Sequence, residues 1–193
     1  MRPKHEGGVQ YSKMAALPDL ITVAQYRQLP ENDGVVYELH QGEVVVLSHP
    51  KPWRWRFQRR LVELLESRLP RFIVGMEFAF RAIPEFDLRA ADVAALYRDR
   101  YEAMNPEVDL FGAPELVIEV KSPPNTKRQL QDYAALCLAN GCPQFWGLDR
   151  NTKCVTVIPR DASCQTFGLG ETLSLAAFGG DSLSVAEIFE KAR

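Results

Sequence analysis

The sequence predicts a single α/β or α+β domain in which a β-sheet is flanked by helices. The chain has 193 residues, of which 46% are apolar and 25% are charged, so it can bury one substantial core. Stretches with the alternation of a strand are interspersed with stretches of helical spacing. Residues 115–148 combine strand, helix and strand in that order, which predicts a parallel pair with a right-handed connection. We expect residues 1–18 to be a flexible tail and residues 19–193 to form the domain.

The first third of the chain predicts a helix, a hairpin and a longer helix. Thr22 and Gln25 have the spacing of a capping box that opens the helix "TVAQYRQL". The strands "VVYEL" and "EVVVL" flank "HQG", where Gly42 suits a hairpin turn. Helical spacing then recurs, and that helix ends near Pro70. Its apolar positions are Phe57, Leu61, Leu64, Leu65 and Leu69.

The remaining elements again mix strands and helices. The stretches "FIVGMEFAFRAI" and "AADVAALY" predict two strands, and residues 98–114 predict a loop. After the strand "ELVIEV", we expect Asn125 to cap a helix that runs to about Asn140. "PQFWGLD" and "CVTVIPR" predict a second hairpin, and Ser184 with Glu187 predicts a capping box for a final helix.

Composition excludes several classes of function. The formal net charge of −2 gives no general attraction to nucleic acid or anionic membrane, so a polyanion must be bound through a local basic patch. No apolar run approaches the roughly 18–20 residues of a membrane span, and the N-terminus lacks the apolar segment of a secretory signal. The four cysteines show no C-x-x-C spacing and lie far in sequence from the three histidines, which argues against a zinc site. We expect a cytoplasmic protein whose thiols are reduced.

The strand "ELVIEVKSP", residues 115–123, carries two charges in an otherwise apolar run. Side chains alternate along a strand, so Leu116, Ile118 and Val120 share one face. Glu119 and Lys121 therefore share the other face. An ionised pair on a mostly buried strand is costly unless it is compensated or has a chemical role. The alternative is a structural ion pair at the end of the strand, where solvent begins.

Asp92, in "AADVAAL", is a second isolated carboxylate in an apolar strand-like stretch. It is separated from Glu119 by a length that allows the two strands to be neighbours. Asp92 and Glu119 would then supply two hard oxygen ligands for Mg²⁺ or Mn²⁺, completed by the Val120 carbonyl and water. Lys121 would lie beside the metal, where an ammonium can orient a water and stabilise an anionic transition state. The alternative for Asp92 is an ordinary turn or strand-start aspartate.

At these residues the chain resembles a known family. The pattern D…E-x-K is the signature of the PD-(D/E)xK nuclease superfamily, and nearly the whole chain resembles its Uma-type, restriction-endonuclease-like branch. The matching stretches run in family order from about residue 21 to 190. They are "TVAQYRQLP", "YELHQGEVVVL", "ADVAAL", "GAPELVIEVKSP", "NGCPQFWGLD" and "SVAEIF".

The resemblance implies a restriction-endonuclease-like mixed sheet flanked by helices, a divalent metal site and DNA as substrate. It maps Asp92 and Glu119 onto the metal-binding acids and Lys121 onto the lysine of E-x-K. Glu38, in "YEL", occupies a position where the family also carries glutamate, although it can equally pair across the hairpin. The superfamily commonly forms symmetric dimers, so we expect a homodimer.

The chain also departs from the family pattern. Arg54 stands where a histidine is often found at the start of the first long helix, and Ala91 replaces a proline. Gln129 and Tyr133 stand where an aspartate and a relocated lysine are frequent. They form Q-x-x-x-Y on one face of a helix, a spacing that follows E-x-K in exonuclease-like branches beside the active site. The alternative is a surface glutamine above a half-buried tyrosine.

One segment, "KPWRWRFQRR", is densely basic, with aromatic residues between its charges. Arginine suits phosphate and aromatic rings can stack on bases, although Phe57 is expected to pack inward. Two more cations, Lys127 and Arg128, lie in the first helical turn after the E-x-K strand. The expected phosphate-binding side chains are Arg54, Arg56, Arg59, Arg60, Lys127 and Arg128.

These observations favour a metal-dependent DNA endonuclease that hydrolyses phosphodiester bonds. The runner-up is a DNA-binding module that keeps the fold without catalysis. The third hypothesis is a structural or regulatory protein whose charged strand end is only an ion pair.

Overall fold

The protein is described here from a computed structural model. The structure describes residues 20–30, 34–47, 49, 51–121 and 126–190. The predicted tail, residues 1–18, lies outside them.

Most predicted elements are present. The helices are α1 (Val23–Tyr26), α2 (Pro52–Arg68), α3 (Arg98–Glu102), α4 (Lys127–Ala139) and α5 (Val185–Phe189), with a 3₁₀ turn at Ala176–Phe178. The strands of the first half are β1 (Val36–His40), β2 (Glu43–Leu47), β3 (Phe72–Arg81), β4 (Arg89–Tyr97), β5 (Leu110–Phe111) and β6 (Leu116–Val120). The second half adds β7 (Gln144–Asp149), β8 (Cys154–Pro159), β9 (Gln165–Phe167), β10 (Thr172–Ser174) and β11 (Ser182–Ser184).

The central sheet has seven strands in the order β5-β3-β4-β6-β7-β8-β9. The β6–β7 and β3–β5 pairs are parallel, and the other neighbours are antiparallel. The parallel strand–helix–strand unit predicted for residues 115–148 is therefore confirmed as β6–α4–β7. The two predicted hairpins are confirmed as β1–β2 and β7–β8. The fold class is the predicted mixed α/β sheet with helices around it.

Both faces of this sheet are covered, and β6 contributes to both. Leu116, Ile118 and Val120 belong to the core that includes apolar residues of α2 and α5. Val117 belongs to the second core, which includes residues of α4. The alternation along β6 is as predicted, and it places Glu119 in line with Val117, towards α4.

Helix α4 approaches the sheet closely at Gly147 of β7. A methyl group built on Gly147 would lie 2.8 Å from Cδ2 of Leu130 in α4. Gly147 is also the register partner of Glu119. The absence of a side chain at this position therefore lets α4 pack directly behind the acidic residue of β6.

Three capping boxes begin helices, and two of them were predicted. Thr22 with Gln25 and Ser184 with Glu187 are confirmed. The predicted cap of α4 was wrong, because Thr126 rather than Asn125 is its N-cap and pairs with Gln129 at the third helical position. A threonine whose partner lies three residues later satisfies two free amides, which a lone asparagine cannot do.

Residues 98–114 were predicted as a loop, which was wrong in part, since they contain α3 and β5. Both elements depend on tertiary contacts that no periodicity reveals. Arg100 of α3 reaches Glu115 Oε1 at 2.7 Å, and Leu110 of β5 pairs with Phe80 of β3. The first helix is also shorter than "TVAQYRQL", since α1 ends at Tyr26.

The β1–β2 hairpin lies outside the central sheet and is bonded to the start of β4 and to the segment before it. Leu39 and Leu88 exchange two backbone hydrogen bonds, at 2.9 and 2.8 Å. This bridge places β1 beside the start of β4. Cys137 and Cys142 are buried, and both are free thiols. Within the described ranges, no helix is both long and apolar enough to span a bilayer.

Candidate functional site

The site is formed where β4 and β6 stop pairing through their backbones. Val93 and Ile118 are the last paired residues at this end. One residue further, the amide of Asp92 donates to Glu119 Oε1 at 3.2 Å, and the amide of Val120 donates to Asp92 Oδ2 at 2.6 Å. Two carboxylates thus replace the backbone acceptors of the ladder. The structure brings together the three residues that were predicted as metal ligands.

Asp92 is buried, with 4% of its surface exposed, and its carboxylate accepts four hydrogen bonds. Arg54 of α2 donates to it twice, from Nε to Oδ1 at 2.9 Å and from Nη2 to Oδ2 at 2.5 Å. Gln58, one turn along α2, donates to Oδ1 at 2.7 Å, and Val120 supplies the fourth bond. A carboxylate offers about four lone-pair positions, so Asp92 is saturated by these donors.

Glu119 is also buried, at 8% exposure, but it forms no ion pair with any basic side chain that the structure describes. Burial raises the pKa of its carboxyl well above the usual value, and the neighbouring charge of Asp92 raises it further. The positive charge of Arg54 lowers the pKa of Glu119, but by less than burial and Asp92 raise it. Glu119 is therefore a buried acid that would be stabilised by an additional positive charge.

Two members of this cluster were missed by sequence reasoning. Gln58 Nε2 lies between two acids, since it donates to Asp92 Oδ1 and also to Glu77 Oε1 at 2.6 Å. Glu77 has φ of 50°, and it interrupts the ladder of β3 and β4 at the position that would face Asp92. The signal for Glu77 was present, because it is a lone carboxylate in the apolar stretch "FIVGMEFAF". Gln58 gave no comparable signal.

Lys121 lies at the same end of the sheet but is turned towards β7. Its Nζ donates to Asp149 Oδ2 at 2.9 Å, and 46% of the side chain is exposed. This bond lowers the pKa of the Asp149 carboxyl below its ordinary value. Within the described ranges its ion pair is thus with Asp149, and the structure does not bring its ammonium into contact with Asp92 or Glu119.

Glu38 is held beside the site by the β1–β2 hairpin. Its Oε1 accepts from the amide of Ala90, two residues before Asp92, at 2.9 Å. Its Oε2 lies 2.6 Å from Nε2 of His40. The cross-hairpin pair considered from the sequence is not its role here, since both partners belong to β1 or β4.

Gln129 and Tyr133 have separate environments although they lie one helical turn apart. Gln129 is exposed, and its Oε1 accepts from the Thr126 amide and hydroxyl at 2.8 and 3.0 Å, so it caps α4. The Tyr133 hydroxyl is buried and has no hydrogen-bond partner in the described part of the chain. Burial raises the pKa of Tyr133 well above its usual value, with Glu119 adding to the effect. Its ring lies under the Arg89 guanidinium, 4.7 Å from ring centre to Cζ.

The predicted phosphate-binding side chains divide into partly buried and exposed groups, and two of the exposed ones form surface ion pairs, Arg59 with Glu63 and Arg128 with Asp132. Arg54 is bound to Asp92, and Arg60 donates to the Glu187 carbonyl at 2.8 Å. Arg59 is exposed above the Trp55 ring and bonds Glu63. The exposed side chains are Arg56, Arg59, Lys127 and Arg128.

The oxygen donors at this site match the preference of a hard divalent cation. Among the described residues there is no group of three or more His, Cys, Asp or Glu side chains suited to a metal. Two carboxylates and one carbonyl remain, from Asp92, Glu119 and Val120, and they are hard oxygen ligands of the kind that Mg²⁺ and Mn²⁺ accept. The uncompensated burial of Glu119 also favours a cation. The set therefore fits, provided that Arg54 leaves Asp92.

The chain is similar to known proteins along most of its length. A family model described as "Uma2: Putative restriction endonuclease" matches residues 23–186. The fold is similar to the crystal structure of a putative nuclease belonging to DUF820 from Anabaena variabilis ATCC 29413, with a TM-score of 0.74. The two sequences are 18% identical over 88% of this chain and 97% of the other. The comparison with curated proteins gives no match.

Proposed function

This chain belongs to the Uma2 family, and we propose that it is a divalent-metal-dependent endonuclease that hydrolyses phosphodiester bonds in DNA. The observation that supports this proposal best is the meeting of Asp92 and Glu119 where β4 and β6 separate. Two buried acids bonded to each other's strands are costly for stability alone. Glu119 lies on the E-x-K strand, and Asp92 lies beside it on β4, so a cation site gives that cost a chemical reason.

In this proposal Asp92, Glu119 and the Val120 carbonyl hold Mg²⁺ or Mn²⁺. An ion held by these residues would supply Lewis-acid chemistry towards the phosphate and the attacking water. Lys121 orients the attacking water and stabilises charge on the phosphate, after its ammonium exchanges Asp149 for the substrate. Its exposed position and single exposed ion pair make this exchange inexpensive.

The exposed cations around the site hold the phosphate backbone. Arg56 and Arg59 extend from α2, and Lys127 and Arg128 extend from the first turn of α4. These two helices flank the end of β6 from opposite faces of the sheet. Phosphate contacts of this kind carry affinity without reading the base sequence.

DNA cleavage with matched acid variants tests the proposal. Supercoiled and linear DNA are incubated with the full chain and Mg²⁺ or Mn²⁺. In a parallel reaction, EDTA replaces the metal. Asp92→Asn, Glu119→Gln and Lys121→Ala should each abolish metal-dependent cleavage. Glu115→Gln is the control, because Glu115 is a buried acid of the same segment that pairs with Arg100 instead. Cleavage that survives all three substitutions would contradict the site.

A second candidate function follows from the saturation of Asp92. If Arg54 holds Asp92 permanently, the protein is a DNA-binding module that keeps the fold. Strong, salt-sensitive DNA binding without cleavage under Mg²⁺, Mn²⁺ or Co²⁺ would favour this function.

We also propose that the chain acts as a homodimer, because two sites are needed to cut both strands in one encounter. Light scattering with size-exclusion chromatography measures the mass directly. A mass of 21.8 kDa, that of one chain, would contradict the dimer.

A further inference from the structure

Arg54 is the basic residue that lies among the carboxylates of Asp92, Glu119 and Glu77 and binds the first of them. Its guanidinium forms a bidentate pair with Asp92, and only 18% of its side chain is exposed. Burial opposes its charge, yet Asp92, Glu119 and Glu77 together raise the pKa of Arg54 above its ordinary value. Three carboxylates therefore act on one guanidinium that is already fixed in position.

The lone pairs of Asp92 cannot serve Arg54 and a metal ion together. Arg54 takes one position on each oxygen, and Gln58 and Val120 take the others. An inner-sphere ion needs a carboxylate lone pair directed at it, and it also repels a neighbouring guanidinium. Binding of a divalent ion at Asp92 therefore requires Arg54 to leave.

A DNA phosphate is a suitable destination for Arg54. The residue lies in the first turn of α2, next to exposed Trp55 and Arg56, so a rotation of its side chain can bring the guanidinium to the surface. Arginine forms the same bidentate geometry with phosphate as with carboxylate. The exchange replaces one charge-assisted pair with another, and it leaves Asp92 open.

Resting on the proposed function, we infer that Arg54 occupies the cation site in the absence of DNA by binding Asp92. When DNA binds, the Arg54 guanidinium moves to a DNA phosphate. Asp92 is then free to bind the divalent ion. Cation binding and DNA binding are then positively coupled. By linkage each ligand strengthens the other by the same factor. The free protein binds the ion weakly, and DNA makes the site competent.

Mn²⁺ binding measured by the electron paramagnetic resonance of the free ion tests this inference without using activity. Arg54→Gln removes the guanidinium that binds Asp92 and keeps a hydrogen-bonding side chain. It should therefore tighten Mn²⁺ binding by about tenfold or more in the absence of DNA. Arg68→Gln is the matched control. It removes the same charge from the other end of α2 and breaks a pair with Glu187, at 2.5 Å, and it should leave Mn²⁺ binding unchanged.

A short DNA duplex with cleavage-resistant phosphorothioate linkages provides the second arm, because the proposed activity would cut an ordinary duplex in Mn²⁺. It should tighten Mn²⁺ binding by the wild-type chain and should have a smaller effect on Arg54→Gln, in which the guanidinium is already absent. Equal Mn²⁺ affinity in wild type and Arg54→Gln, with binding lost in Asp92→Asn, would overturn the role of Arg54 and leave the endonuclease site intact. No Mn²⁺ binding in either protein, with or without DNA, would overturn the metal site and the proposed function together.

A measurement on the wild-type chain covers the case in which Arg54→Gln does not fold. The Arg54 Nε–H group can be followed by ¹H–¹⁵N nuclear magnetic resonance, with its signal assigned by its loss in Arg54→Lys. Saturation with Mg²⁺ and the same cleavage-resistant duplex should remove the chemical-shift displacement and the exchange protection that the Asp92 bond confers. A signal that stays unchanged at saturation would overturn the inference.

Discussion

Asp92 and Glu119 lie one residue beyond the last backbone pair of β4 and β6, and the amide of Asp92 donates to Glu119 Oε1 at 3.2 Å. Each acid therefore has a structural partner on the neighbouring strand as well as a charge that needs compensation. Asp92 receives that compensation from Arg54, whereas Glu119 forms no ion pair among the residues that the structure describes.

Glu119→Gln should make the metal-free protein more stable than wild type, by an amount that grows with pH. Burial and Asp92 raise the pKa of the folded Glu119 above the ordinary value of 4.5, so the folded state binds this proton more tightly than the unfolded state. Wild-type stability is then lost as the pH rises above 4.5, until the folded pKa is passed. Glutamine keeps the acceptor for Asp92 and has no such loss. The gain should therefore be small near the acid end of the range and largest at neutral or alkaline pH.

Urea denaturation of both proteins in EDTA, at several pH values from about 4 to 9, measures this difference. The two stabilities should converge near the acid end of the range. A Glu119→Gln variant that is less stable than wild type throughout would show that the ionised carboxylate is favourable in the fold.

Lys121→Met should change stability little while abolishing metal-dependent DNA cleavage. The Lys121–Asp149 pair is exposed, and such pairs contribute up to about 1 kcal/mol. Asp149→Asn breaks the same pair and keeps the lysine, so it should retain cleavage. Thermal unfolding and cleavage assays on the two variants separate these effects. Equal loss of cleavage in both would mean that the pair, and not the free amine, is needed.

Arg56→Gln should weaken DNA binding at low salt and reduce the salt dependence of that binding. Arg56 is exposed, so a contact with phosphate releases a counterion, and its loss lowers the slope of log K against log salt by about 0.9. Fluorescence anisotropy with a labelled duplex at several salt concentrations measures the slope.

Arg60→Gln is the comparison on the same helix. Arg60 donates to the Glu187 carbonyl and to Glu190, so its loss should reduce stability by about 0.5–1.5 kcal/mol through the α2–α5 contact. Its effect on the salt slope should be small. An unchanged slope in Arg56→Gln would place the phosphate backbone elsewhere on the surface.

Tyr133→Phe should leave the protein as stable as wild type or more stable, by up to about 1 kcal/mol. The Tyr133 hydroxyl is buried without a hydrogen-bond partner in the described chain, and an unsatisfied buried donor is unfavourable. The ring contacts with Phe145 and Arg89 are kept. Urea denaturation measures the change. A loss of more than about 1 kcal/mol would reveal a partner for the hydroxyl, and lost cleavage at unchanged stability would support its predicted role at the site.

Sequence reasoning predicted the parts of the site that depend on strand alternation. The placement of Glu119 on the face opposite Ile118, and its meeting with Asp92 on a neighbouring strand, follow from period two and from a shared sheet end. These features are properties of the backbone. The same reasoning located both hairpins and the parallel unit.

The pairing of the long basic side chains could not be predicted in this way. Arg54 reaches Asp92 across 38 positions of sequence, and Lys121 reaches Asp149 across 28. Each has several flexible bonds and several acids within reach, so its partner depends on packing between elements that are distant in the chain. For the same reason α3 and β5, which are held by Arg100 and by β3, gave no periodic signal.

Gly147 restricts how related sequences can diverge around the acid. A methyl group there would lie 2.8 Å from Cδ2 of Leu130, so a larger residue requires the end of the Leu130 side chain to move aside. A substitution at this position in a homologue should therefore be accompanied by a smaller residue in place of Leu130. Such paired changes among homologues would show that evolution conserves the close packing of α4 against β7 next to Glu119.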